Sequence, residues 1–251
     1  YAFCDDGVYA YWITKIDDSG VLKTAMYKKL LSDDESVADT QMWKTNSVVV
    51  SNSVIEYTKE RIVGAINNGI YEWATNASAL GTAVYTHPDT DVVFTGVTSS
   101  GAAIYLSAYS GIQSNIYKFT LASNGTMPTL TSAITAAEFP AGEKVYTIAY
   151  YLGYMAIGTN LGARIAAVSD ADGSINYGPL IFESEQPVYD FDFYDKYIWC
   201  TTNVDGAPGM TRINLGQEVS QLVFPYSWDL YYYPEDTTLR VTGRQTTSCA
   251  F

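Results

Sequence analysis

Histidine is nearly missing from this chain: His87 is the only one in 251 residues, and cysteine stops at three. Cys4, Cys200 and Cys249 form no CxxC pair, so with a single imidazole no Cys/His zinc set can be assembled. The odd cysteine count leaves at least one thiol free or paired outside the chain. Acyl transfer needs a nucleophile beside a base, yet His87 falls in the turn phrase His87-Pro88-Asp89, and no Gly-x-Ser-x-Gly elbow occurs. Basic residues are scarce as well, with 14 Lys+Arg against 27 Asp+Glu and a formal charge of −13. Such a surface repels phosphate, and no basic cluster offsets it, which excludes nucleic acid as a partner. Long apolar runs are absent: the longest, Val145 to Gly158, is interrupted by Gly153 and falls well short of the roughly 20 residues of a membrane helix. No membrane span is expected. Neither is a leader, because the sequence opens on Tyr1 and not on a basic segment with an apolar stretch. The missing initial methionine points to a chain that was processed, expressed as a piece, or represents part of a longer polypeptide.

What is present is hydroxyl and aromatic. Charged residues make up 16%, against about 25% in a typical domain; the polarity comes from 22 tyrosines with serine and threonine throughout. Period-2 patterning runs almost everywhere and a 3.6 period almost nowhere, which predicts an all-β chain. Val8 to Ile16, Ser114 to Leu121, Arg164 to Val168 and Thr211 to Leu215 are each followed by a glycine turn, and Ala79-Leu80-Gly81 supplies the corresponding turn of another unit. Glycine provides the positive φ that tight hairpins need. The turn glycines fall at 20, 81, 125, 173 and 216, at spacings of 61, 44, 48 and 43. Two further phrases repeat. Tyr1 to Tyr9 reads like Ile62 to Tyr71, and Val145-Tyr146-Thr147-Ile148 before Tyr154 reads like Val188-Tyr189-Asp190-Phe191 before Tyr197.

A period in the mid-forties built from four short strands suits a propeller blade, whose small twisted sheet buries its faces only against its neighbours. The fourth unit is predicted as strands 144–151, 154–159, 164–168 and 174–182. On this register the chain enters at the second strand of a blade. The whole of residues 1–251 is then one all-β domain, a β-propeller of four-stranded blades with at least five represented, with an acidic loop inserted at about 31–41 and incomplete blades at both ends. It either closes with its terminal strands side by side or is a window on a longer polypeptide. A β-sandwich and a β-solenoid are the rival architectures. The resemblance is to β-propellers generally, since the repeated Trp-Asp and Gly-His of WD40 units and the kelch double glycines are lacking, which counts against a eukaryotic-type scaffold.

Candidate chemistry concentrates on a few side chains. Asp190 and Asp192 alternate with Phe191 and Phe193, so both acids leave one face of an innermost strand, where a pair of carboxylates could serve glycoside hydrolysis or simply line a wet channel. Ser169-Asp170-Ala171-Asp172-Gly173-Ser174 departs from the sialidase Asp-box in spacing and lacks its tryptophan. Asp170 and Asp172 are weak calcium candidates, with no bidentate glutamate to complete a loop. Tyr231, Tyr232 and Tyr233 form an aromatic cluster suited to a protein interface or a sugar. Arg164 and Arg212 recur 48 residues apart, which suggests repeat packing, and Cys4 and Cys200 in the phrases Tyr-Ala-Phe-Cys and Tyr-Ile-Trp-Cys suggest buried free thiols between blades.

No catalytic set or cofactor motif emerges, and the expectation is a non-enzymatic interaction platform with no cofactor. The composition, rich in Thr, Ser, Tyr, Ala and Gly and poor in His, Cys and Lys, resembles that of virion proteins of tailed bacteriophages. That resemblance implies a tail or virion component for assembly or host-surface recognition, with other proteins of a large assembly and a cell-surface glycan or receptor as partners. The alternative is a secreted carbohydrate-binding or glycoside-hydrolysing propeller. A virion or extracellular location fits either.

Overall fold

The computed structural model describes residues 2–214 apart from 47–50, 101–102, 123, 131, 170, 182–185 and 205–206. Strands and turns account for all the regular structure among them. The first sheet is β1 (Ala2–Asp5), β2 (Tyr9–Asp18), β3 (Val21–Leu30) and β4 (Thr40–Lys44); the second is β5 (Ser53–Thr58), β6 (Arg61–Ile66), β7 (Gly69–Ala74) and β8 (Tyr85–Thr86). The third holds β9 (Val93–Ser99), β10 (Ala103–Ser110), β11 (Gln113–Thr120) and β12 (Ile134–Glu138), and the fourth β13 (Val145–Tyr151), β14 (Tyr154–Thr159), β15 (Ala163–Val168) and β16 (Ile175–Tyr177). A fifth has β17 (Val188–Tyr194), β18 (Tyr197–Val204) and β19 (Ala207–Asn214). Each of the first four pairs its strands antiparallel in chain order. This is the β-propeller arrangement. Among the described residues, those up to 190 with 203–207 form one compact unit, and 191–202 with 208–214 belong to a second.

Within the larger unit β1, β5, β9 and β13 are the inner strands and lie beside one another. The reason is visible in β6, Arg-Ile-Val-Gly-Ala-Ile. Successive side chains of a strand leave opposite faces; Ile62 and Ile66 enter an apolar cluster with Tyr11, Ile13, Met26 and Trp43 of the first sheet, while Val63 and Ala65 enter another with Phe94, Ile104 and Leu106 of the third. A third cluster joins Tyr105 and Ile116 to Ile148, Met155 and Ile157 of the fourth. Every core is thus shared between two sheets, and a buried isoleucine contributes about 1.5–3 kcal/mol only while both sheets are present. Glycine permits the close approach: a Cβ at Gly158 would sit 2.8 Å from the Val188 carbonyl oxygen.

The chain enters at an innermost strand, one strand earlier than the glycine spacing implies. Gly20 turns β2 into β3, whereas Gly81, Gly125 and Gly173 lie between third and fourth strands. The residues 31–39 are the link from β3 to β4, the counterpart of 75–84 and 121–133, so the long first interval reflects a different hairpin and not an insertion. Local chemistry marks a hairpin without saying which of the three in a blade it is. By contrast the fourth unit follows its first three predicted strands to within a residue, while the predicted 174–182 is the shorter Ile175–Tyr177. Gly216, the strand-like segments 228–233 and 238–243, and Cys249 lie outside the described residues.

Candidate ligand site between the inner strands

The inner strands line a cavity of about 400 Å³ that is open to solvent. Phe3 of β1, Ser53 and Val54 of β5, Thr95 and Gly96 of β9, Tyr146 and Thr147 of β13, and Tyr189 and Asp190 at the start of β17 line it. Equivalent positions converge because an inner strand recurs in each repeat, and the side chains of one level of these strands meet. Tyr146 and Tyr189, matching positions of the repeated phrase, stack with ring centroids 5.4 Å apart and planes 6° from parallel. Tyr189 keeps 49% of its surface exposed and Phe3 63%. Thr95 Oγ1 is committed to the fold, donating to the Val145 carbonyl at 3.0 Å. Ser53 Oγ is not: it is buried and has no hydrogen-bond partner. A buried hydroxyl left unpaired costs about 1–3 kcal/mol, and a group that enters the cavity and bonds it recovers that.

Further along β5 lies Glu56. Its carboxylate accepts from Ser99 Oγ at 3.1 Å, and burial pushes its pKa up to about 7 despite that bond. Beside it the Cys4 thiol is pushed up to about 12, by burial first and then by the charges of Glu56, Asp5 and Asp6. Cys200 is buried and likewise pushed up to about 12 by burial. Both cysteines are free thiols, as their matching phrases suggest.

Of the two acids expected to act together, Asp190 is among the residues that line the cavity. Asp192, exposed two residues further along the strand, accepts the Phe193 N–H on its Oδ1 at 2.9 Å. A step of two residues moves a side chain about 7 Å along a strand. Asp172 accepts the N–H and hydroxyl of Ser174 at 2.9 and 2.8 Å, and these bonds hold it down at about 2, the chemistry of a closed turn. Asp170 and Tyr231, Tyr232 and Tyr233 lie outside the described residues, among which no three His, Cys, Asp or Glu gather as a metal site would require. Arg164 clamps Glu143 through two hydrogen bonds of 3.0 and 2.9 Å, and Arg212 lies 4.3 Å from the Tyr197 ring centroid, so both arginines serve packing. Ser53, Glu56 and Tyr146 were not singled out from the sequence; the signal for Tyr146 was its repeat partner Tyr189, and Ser53 and Glu56 carry none.

No protein-family model matches the chain, and no curated protein matches it in sequence. Solved structures do match in shape. A 6-phosphogluconolactonase-like protein of Bacteroides uniformis is 13% identical over 85% of this chain and 66% of its own length, with a TM-score of 0.56. The PQQ-bound aldose sugar dehydrogenase of Streptomyces coelicolor is 7% identical over 83% of this chain and 76% of its own, at 0.58. A structure of a nidogen/laminin complex is 10% identical over 86% and 76%, at 0.59. The chain therefore spans about two thirds to three quarters of these proteins, and the likeness is one of fold. It also corrects the expectation of a non-enzymatic chain. Missing triads, elbows and Asp-boxes exclude those chemistries alone, and two proteins of the same fold are named for enzymes that act on sugars or sugar derivatives.

Proposed function

We propose that this chain is a carbohydrate-recognising propeller that holds a sugar in the cavity between its inner strands. The observation that carries the reading is the unpartnered Ser53 hydroxyl in a cavity walled by the stacked Tyr146 and Tyr189. Parallel tyrosine rings offer a flat apolar face to the C–H side of a pyranose, and hydroxyl and carboxylate groups meet its rim. Two of the same-fold structures are named for proteins of sugar chemistry, which supports the ligand class. Isothermal titration with a panel of neutral monosaccharides is the test: Tyr189→Ala weakens binding about tenfold or more, and unchanged affinity in that variant removes the site. Hydrolysis is examined in the same way. Glycan turnover that survives replacing Asp190 and Asp192 by Asn removes a carboxylate mechanism at this site.

The composition further supports work outside the cell or on a virion, where a tail or surface protein of a phage would meet a bacterial glycan and be held by neighbouring proteins. Sedimentation of the native polypeptide with a megadalton particle tests this placement; recovery only as a free chain contradicts it.

A further inference from the structure

A second cavity, of about 310 Å³, opens at the end of the third sheet where β9 begins, between the residues leading into β9 and the hairpin of β10 and β11. His87, set aside in the sequence as a turn residue, belongs to its wall together with Tyr109, Asn115 and Tyr117, over the apolar Val92 and Ala108. The polar groups here form a chain whose directions can be read. The Asp89 N–H donates to His87 Nδ1 at 3.1 Å. Nδ1 also lies 3.3 Å from the Asp89 carbonyl oxygen; the shorter contact, from an N–H that can only donate, assigns Nδ1 as the acceptor and places the ring proton on Nε2, which faces the Tyr117 hydroxyl at 3.0 Å. Asn115 Nδ2 donates to the same hydroxyl at 3.4 Å. With its oxygen accepting from both, Tyr117 keeps its own proton to give away. Asn115 Oδ1, in turn, is buried without any hydrogen-bond partner. One free donor and one unanswered acceptor thus stand side by side.

The charged groups around the cavity are already occupied. Asp89 accepts the Asp91 N–H on one oxygen at 2.9 Å and the Ser110 hydroxyl on the other at 2.5 Å, and these bonds hold its carboxyl below the usual range, so it is an anion. The Lys144 ammonium lies 4.7 Å from the centroid of the Tyr109 ring. Gln113 Nε2 donates to the Phe139 carbonyl at 2.9 Å. A phosphate or carboxylate would meet Asp89 with no lining cation to offset it.

We propose that this cavity is a second, separate subsite for a neutral polyhydroxylated ligand, a sugar whose one hydroxyl accepts from Tyr117 and donates to Asn115. A hydroxyl suits the pair because it is both donor and acceptor, and it serves equally if the amide of Asn115 is turned over. The aromatic and apolar wall takes the ring face. The choice of sugar rests on the reading of the inner-strand cavity, while the site itself uses none of that cavity's residues.

The test is calorimetric titration of the intact chain with glucose, galactose, mannose and N-acetylglucosamine, paired with ligand-observed NMR. Two binding events per chain are expected for at least one sugar. Tyr117→Phe, which keeps the ring, and Asn115→Leu, which keeps the volume, each weaken one event about tenfold or more and spare the event that Tyr189→Ala weakens; thermal melts confirm that all three variants are folded. A single event lost in Tyr189→Ala and untouched by the other two overturns this subsite and leaves the first. A single event lost only in Tyr117→Phe and Asn115→Leu supports the subsite and removes the first. Absence of binding by all four sugars overturns both. Glucose 6-phosphate binding as tightly as glucose at the Tyr117-dependent site overturns the neutral character assigned to it.

Discussion

Glu56 shows how much a single residue depends on neighbours distant in sequence. In Val54-Ile55-Glu56-Tyr57 it reads as the outward member of an alternating strand. Ser99, its hydrogen-bond partner, is 43 residues away, and only the meeting of β5 with β9 encloses the carboxyl. The energetic consequence has a definite sign. Unfolded, the group loses its proton near 4.5; folded, near 7. Between those values the unfolded chain binds fewer protons, so stability falls as pH rises, from a contribution complete below 4.5 to one lost above 7. The span corresponds to a change on the order of 3 kcal/mol. Glu56→Gln is expected to flatten the pH dependence of the urea midpoint between pH 5 and 8 and to exceed the wild type at pH 8; equal slopes in the two proteins would refute the assignment. Asp18 acts in the opposite direction. Hydrogen bonds from Lys23 and Lys44 hold it at about 2, so its contribution is present above 3.8 and lost as pH falls toward 2.

At the scale of elements, hairpin turns and one buried ion pair set the details. The two-residue turn Leu152-Gly153 has φ of 51° and 88°, the left-handed pair that matches strand twist. Lys59-Glu60, joining β5 to β6, has φ of 49° and 60° without any glycine. Glu60→Gly should therefore raise stability by about 1 kcal/mol, read as a higher denaturation midpoint; a lower midpoint would mean that the glutamate side chain stabilises more than its backbone strain costs. Arg164 of β15 reaches Glu143, whose side chain is 1% exposed, and donates to the Gly178 carbonyl at 2.7 Å. Removing one partner leaves a charge buried, so Arg164→Met should cost about 3–5 kcal/mol in chemical denaturation, and a loss below 1 kcal/mol would show the pair to be idle. The strands themselves were legible from alternation and turn residues: the predicted 154–159 is Tyr154–Thr159 as found. The place of Gly20 in its blade was not, because Ser19-Gly20 has the same local chemistry in any of the hairpins.

Across the first four sheets, apolar packing is organised between sheets. The second sheet divides its apolar residues between two clusters, one shared with the first sheet and one with the third. A fragment of residues 53–86 alone is expected to remain unfolded, with amide resonances bunched in a narrow range, whereas the intact chain unfolds with its blades coupled. Dispersed, exchange-protected amides in that fragment would contradict nearest-neighbour packing. The sequence by itself determined the strand content and the period of four strands, because alternation and turn glycines are properties of neighbours along the chain. It also carried the equivalence of the phrases that hold Tyr146 and Tyr189, though not the stacking of the two rings. Only the tertiary structure decided that Asp190 meets the cavity, that Ser53 and Asn115 are left with unanswered polar atoms, and that His87 faces Tyr117. Those outcomes rest on which side chains from strands 30 to 90 residues apart come within a few ångströms, a distance that no local pattern encodes.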